Sequence, residues 1–128
     1  MKQMLIVGLG GLAGSIARYK VGGMILHHSA TWRFPLSTFA VNLAGCFVIG
    51  ALAALVEQRD YFSADTRLFL FTGLLGGFTT FSAFAYEGVF LLRRGEIAVA
   101  GAYALLSVVG GLAAVWLALK LFSVGAHH

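Results

Sequence analysis

Apolar residues run along this chain in four long blocks, at residues 4–26, 35–56, 68–92 and 97–119. The blocks are continuous, without the two-residue alternation of half-buried strands. A bilayer core about 30 Å thick takes roughly 20 helical residues to cross, and each block is long enough. Backbone groups in lipid must be satisfied within the segment, so helices are expected rather than a small barrel. The second and fourth blocks hold no charge. The first carries Arg18 and Lys20 in its second half, and the third carries Glu87 and a glycine-rich middle. The pattern predicts an all-α integral membrane protein of four transmembrane helices in a single domain.

The connections are short. Residues 27–34 join the first pair, and Pro35 suits the first turn of the next helix. Residues 57–67 hold three of the five acids, and Ser63 and Asp65 are candidate caps for the third helix. Residues 93–96 make the last turn, with Gly95 suited to ending the third helix. No loop has room for a domain, so function must lie within the spans.

Composition sharpens the class. Of 128 residues, 59% are hydrophobic and 11% are charged, against about 25% charged in a soluble domain. Soluble enzyme, secreted disulfide scaffold and disordered chain are excluded. The net charge of +4 is scattered, with Arg93-Arg94 the only adjacent basic pair, so there is no stripe for nucleic acid. The single cysteine, Cys46, excludes an internal disulfide and a cysteine-based zinc site. The N-terminal run lacks a signal-cleavage pattern, and His127-His128 are set aside. With four spans, Lys2, Arg59, Arg67 and Lys120 share one side. Arg33, Arg93 and Arg94, with Lys20 if it reaches the headgroups, share the other. This is no positive-inside bias. Either other cues orient the chain, or copies insert both ways up and pair antiparallel.

The third block carries the most information. Its run Phe71-Thr-Gly73-Leu-Leu-Gly76-Gly77-Phe78-Thr79-Thr80-Phe81-Ser82-Ala83-Phe84 is a poor helix interior. A break is expected near residues 76–80. A broken helix frees carbonyls and N–H groups, which membranes tolerate only against protein, water or an ion. A kink satisfied by threonine hydroxyls and an ion site of main-chain carbonyls both fit. Phe81 and Phe84 stand three apart on one face. They are either packing aromatics or a pair of positive ring edges able to receive a partly dehydrated anion. A fixed charge would bind such an anion too tightly for fast release.

Polar residues elsewhere are few. Thr38 and Asn42 lie four apart on the second helix, and Tyr103 and Ser107 four apart on the fourth. Each pair is either interhelical glue or part of an amide-and-hydroxyl track replacing an anion's water shell. Arg18 is costly in lipid and is a functional candidate unless it reaches the headgroups. Glu87, near the end of its span, suits pairing with a basic group. Gly10/Gly14 and Gly73/Gly77 are GxxxG pairs suited to close helix contact. Gly8-Leu-Gly10-Gly11-Leu-Ala13 fits the dinucleotide fingerprint. It is rejected, because the first acid, Glu57, comes far too late and no βαβ unit surrounds it.

Three stretches carry a family likeness: Gly10-Gly11-x-x-Gly14-Ser15-x-x-Arg18-Tyr19, Thr38-Phe-Ala-Val-Asn42-Leu-Ala-Gly45, and Gly76-Gly77-Phe78-Thr79-Thr80-Phe81-Ser82-x-Phe84. With the length and four spans, the sequence resembles the CrcB/Fluc family of small fluoride channels. The resemblance implies an antiparallel dual-topology homodimer in the bacterial inner membrane, with two pores. It implies a fluoride pathway through Phe81, Phe84, Asn42, Thr38, Tyr103 and Ser107. It places Arg18 in the vestibule and Glu87 as the third-helix acid. It assigns the carbonyls of Gly76 and Thr79 to a structural sodium ion at the dimer axis. Two departures stand out: Ser15 replaces the usual alanine, and Gly111 stands where some relatives carry a third hydroxyl.

The implied activity is passive. Hydrogen fluoride enters neutral and dissociates inside, and a channel lets fluoride leave, driven by about 2.3 kcal/mol per charge per 100 mV of inside-negative potential. The competing reading is a dual-topology exporter of cationic drugs, which needs a membrane-embedded carboxylate; the first span has none and Glu87 is off-centre. A purely structural subunit would leave the GGFTTF run unexplained. No nucleophile–base set in the spans supports an enzyme.

Overall fold

A computed structural model describes residues 1–59 and 62–123. Its elements are α1 (Lys2–Ser29), α2 (Leu36–Arg59), α3 (Ala64–Arg67), a π-helical segment (Leu68–Leu75), α4 (Gly76–Phe78), α5 (Phe81–Arg93) and α6 (Ile97–Ser123). The segments from α3 to α5 together form the third span. Four helices are long and apolar enough to cross a membrane: Lys2–Ser29, Leu36–Gln58, Ala64–Arg93 and Ile97–Ser123. The described residues contain no strand. His127 and His128 lie outside the described residues.

The helix ends follow local chemistry. Pro35 sits just ahead of α2, and its carbonyl accepts the Phe39 N–H at 3.2 Å. Ser63 caps α3 by accepting the Thr66 N–H at 3.2 Å. Asp65 does not cap; it pairs with Lys2 at 2.8 Å and ties the start of α1 to the start of the third span. Gly95, at φ 80°, ends α5, and the Glu96 N–H returns to the Leu91 carbonyl at 2.9 Å. At that same end, Arg33 pairs with Glu96 at 3.5 Å, joining the first and last loops. The two ion pairs therefore close opposite ends of the bundle.

Spans that are not neighbours in sequence pack most closely. α1 lies against the π segment and α4, and α2 lies against α6. The first seam is built from glycine on both sides. A methyl at Gly10 would stand 2.7 Å from the Phe69 carbonyl oxygen and 2.8 Å from the Gly73 Cα. One at Gly77 would stand 2.7 Å from the Gly11 carbonyl oxygen, and one at Gly14 would collide with the Leu74 carbonyl. The two GxxxG pairs thus pack against each other, backbone to backbone. In lipid such close packing replaces the hydrophobic drive.

Side chains from α2, α5 and α6 form the small core. Tyr103 and Val41 are the largest fully buried side chains, Val41 on the side of α2 that faces Gly22 of α1. Tyr103 clusters with Leu91 and Ala100, and Phe34, Phe39, Phe84 and Val99 pack around them. Leu5, Leu9, Leu12, Leu105, Leu112 and Trp116 are among the large side chains left on the outer surface, as a hydrocarbon solvent allows.

The glycine seam makes a direct prediction. Gly14→Ala and Gly77→Ala should each destabilise the protein by about 1–3 kcal/mol through overpacking. Gly101, with nothing within 4 Å of an added methyl, should accept alanine at about the cost or gain of helix propensity, within roughly 1 kcal/mol. Thermal unfolding in detergent reads both. Equal melting of the Gly77 and Gly101 variants would contradict the seam.

Candidate functional site

The expected break is present, two residues later than the glycine pair alone would put it. Gly76 and Gly77 are still helical, and their lack of side chains serves the contact with α1. The chain leaves the helix at Thr79 (φ −85°, ψ 157°) and Thr80 (φ −147°, ψ 119°), both extended. Extended backbone suits β-branched threonine. The Thr79 hydroxyl turns back to the Leu75 carbonyl at 2.9 Å. The Thr80 hydroxyl starts α5 by accepting the Ala83 N–H at 3.2 Å.

Asn42 holds this break from the neighbouring span. Its Oδ1 accepts the Thr80 N–H at 2.8 Å, and its Nδ2 donates to the Thr80 carbonyl at 2.9 Å. One side chain therefore satisfies both main-chain groups of Thr80. An amide nitrogen carries two hydrogens, so one Asn42 donor is left for other use. Because the Thr80 N–H goes to Asn42, the Gly76 carbonyl loses its ordinary helical donor. Because the Ala83 N–H goes to the Thr80 hydroxyl, so does the Thr79 carbonyl. On the other flank, Arg18 Nε donates to the Gly77 carbonyl at 3.2 Å. Arg18 is thus half-buried against the break instead of extended to the headgroups.

Along α5, the rings of Phe81 and Phe84 are 5.7 Å apart, and Phe84 lies 5.0 Å from the Tyr103 ring. Phe81 is 79% exposed on this chain. Phe34 closes the far side of Tyr103 edge-on at 5.3 Å. Glu87, one turn beyond Phe84, pairs with hydroxyls rather than with a cation. Thr38 donates to its Oε2 at 3.0 Å and Tyr103 to its Oε1 at 3.1 Å. Three helices meet on one carboxylate.

The cavities map onto these groups. One of about 680 Å³ at the Arg33–Glu96 end is lined by Glu87, Phe90, Arg94 and both members of that ion pair. A second of about 350 Å³, between α1, α2 and the break, holds Arg18, Ser37, Thr38 and Thr80. A third of about 320 Å³ is an open groove lined by Asn42, Cys46, Gly76, Thr79, Thr80 and Phe81. Phe81, Phe84, Thr38, Tyr103 and Glu87 therefore form one contiguous line. Gly76 and Thr79 lie together at the exposed groove, and Arg18 lies in the cleft across from it. Ser107 lies one turn past Tyr103, its hydroxyl oxygen buried and without a hydrogen-bond partner.

Three features escaped sequence reasoning. Thr80 is the hub of the break, yet it reads as one of two equivalent threonines. The π winding of Leu68–Leu75 has no compositional mark. The Ser37 hydroxyl, bonded to the Gly22 carbonyl at 2.7 Å, pins α2 to α1 from a residue that looks like an ordinary helix start.

Residues 5–119 match the family described as CrcB-like protein, Camphor Resistance (CrcB). Three similar proteins are each named fluoride-specific ion channel FluC. That of Methylobacillus flagellatus is 51% identical over 94% of this chain and 94% of its own length. That of Rhizobium leguminosarum bv. trifolii is 48% identical over 90% and 91%. That of Chlorobium luteolum is 44% identical over 89% and 87%.

The Asn42 clamp is testable apart from transport. Asn42→Leu leaves two buried main-chain groups unpaired, at about 1–3 kcal/mol each. Amide exchange in residues 80–83 should then rise by on the order of tenfold to a hundredfold, with α6 unchanged, as read by hydrogen–deuterium exchange mass spectrometry. Unaltered exchange there would mean that the break stands without Asn42.

Proposed function

Since the chain belongs to the CrcB-like family, we propose that it is a fluoride-selective channel, through which fluoride leaves the cytoplasm passively and which confers fluoride resistance. It is a multi-pass membrane protein and a transporter rather than an enzyme. In this reading it sits in the bacterial inner membrane. The observation that carries the proposal is the line from Phe81 through Phe84 to Tyr103, which holds aromatic edges and hydroxyls and no fixed cation. The relatives' printed name supports fluoride as the ion.

The chemistry suits a small, strongly hydrated anion. Ring edges carry a weak positive potential, enough to attract and too little to trap. Beyond them, Thr38 and Ser107 hydroxyls and the remaining Asn42 donor replace water. Glu87 gathers the Thr38 and Tyr103 hydroxyls. At that level passage requires a hydroxyl to turn from the carboxylate to the anion. Arg18, in its cleft beside Thr38 and Thr80, supplies the positive potential that draws anions to the entrance.

The working unit is an antiparallel homodimer with two pathways. One chain leaves Phe81 uncovered and its groove open, and the near-even charge split permits insertion in both orientations. A structural sodium ion at the axis fits the donor set. Gly76 and Thr79 line the open groove, and their carbonyls have lost their helical donors to the break. Two copies facing each other would supply four carbonyl oxygens, a hard donor set suited to a hard cation. The ion would neutralise facing dipoles and join the copies, without being transported.

Fluoride efflux from proteoliposomes, followed with a fluoride electrode, is the decisive measurement. Efflux should exceed that of empty vesicles and of chloride by orders of magnitude; parity with either would defeat the proposal. Phe81→Ile should lower efflux at least about tenfold, the equivalent of roughly 1.4 kcal/mol on the barrier, without loss of folding, because the ring is exposed on the single chain. Replacing sodium with potassium should weaken the dimer on size exclusion and reduce efflux. Equivalence of sodium, lithium and potassium would remove the central-ion assignment.

A further inference from the structure

α2 and α6 cross the membrane in the same direction and in register. Phe34 and Thr38 are level with Tyr103, Cys46 with Gly111, Gly50 with Ala118, and Gln58 with Phe122. Two ladders face each other across this seam. On α2, Thr38, Asn42 and Cys46 stand four residues apart; on α6, so do Tyr103, Ser107 and Gly111. At the first rung, Thr38 and Tyr103 meet through Glu87. At the second, Asn42 keeps one free amide donor, and the Ser107 oxygen is buried with no partner. A helical serine ordinarily bonds back to the carbonyl four residues earlier. Left unpaired, such a hydroxyl costs about 1–3 kcal/mol, so the second rung is built for a guest.

The third rung is asymmetric. Gly111 is buried and offers no side chain. A methyl placed there would lie 3.3 Å from the Cys46 sulfur, so the thiol fills the space that α6 leaves. Cys46 also lines the groove that holds Asn42, Thr80 and Phe81. A thiol is a weak donor. We propose that the Cys46 thiol is a further residue of the fluoride path, donating its S–H to the anion at the level of Gly111, one turn beyond Ser107. This rests on the channel reading above. A packing role alone would make Cys46 a small apolar filler, for which alanine is a fair substitute and buried serine a poor one.

That contrast defines the test, made on the full chain in proteoliposomes. Cys46→Ala should slow fluoride efflux by about tenfold, the effect of one lost hydrogen bond on a barrier. Cys46→Ser should keep wild-type efflux within about twofold. Adding Gly111→Ser to Cys46→Ala should restore efflux, because the hydroxyl then reaches the same rung from the opposite helix. As a check that needs no variant, wild-type protein is treated with methyl methanethiosulfonate. The thiolate attacks the reagent's thiol sulfur, a methyl disulfide forms and methanesulfinate leaves. With this single cysteine capped, as verified by intact mass, efflux should fall, and dithiothreitol should restore it. An alanine variant as fast as wild type, a serine variant as slow as alanine, or capping without effect would each overturn the proposal, as would a thiol that the reagent cannot reach. Absence of fluoride efflux from unmodified wild type would instead sink the channel reading itself.

Discussion

One side chain on α2 keeps the third span divided. Without the Asn42 amide, Thr80 would hold a part-buried N–H and carbonyl with nothing to bond, a cost that lipid makes high. The division is what takes the helical donors from the Gly76 and Thr79 carbonyls, and it starts α5 afresh with Phe81 at its first position. It also sets where Phe84 and Glu87 fall along α5. The aromatic line, the carboxylate meeting point and the open groove all inherit their placement from this clamp. It is also why polar groups can sit so deep: the Thr80 N–H and carbonyl both have a partner on α2.

The two seams divide the labour. Between α1 and the third span, glycine meets glycine at backbone contact, so that seam is rigid and nearly free of side chains. Between α2 and α6 the backbones approach closely at Gly50, and elsewhere side chains such as Tyr103 and Cys46 furnish the seam. A rigid seam beside a furnished one lets donors be held at set heights while the scaffold stays narrow. Arg18 belongs to neither seam's interior; it bonds the Gly77 carbonyl from the flank and braces the last turn before the break.

Much of this was legible in the residues. Four apolar blocks with short links define the class, since a span's length is set by the bilayer. Gly95 as the end of the third span and Ser63 as a cap could be read because their chemistry is local. The paired glycines and threonines pointed to the break, although the glycines serve the α1 contact and the threonines do the breaking. What could not be read was relational. Nothing about Asn42 in sequence says that its amide faces Thr80 rather than solvent or an ion. Glu87 looked like half of an ion pair, because the choice of Thr38 and Tyr103 as partners depends on three helices meeting. The π winding at Leu68–Leu75 is likewise a product of packing, and its composition is that of any apolar helix.

The pairing of alternate spans has a consequence for how the protein is made. α1 finds its glycine partner only in the third span, and α2 finds α6 only in the fourth. No two consecutive spans form a finished unit, so the first hairpin must wait in the bilayer as separately stable helices until later ones arrive. Synthesis runs from the N-terminus, so α2 stands without its main neighbour until the last helix has been released. The interleaving makes the fold all-or-none with respect to chain completion: a chain stopped short of α6 would have its rigid seam and none of its furnished one.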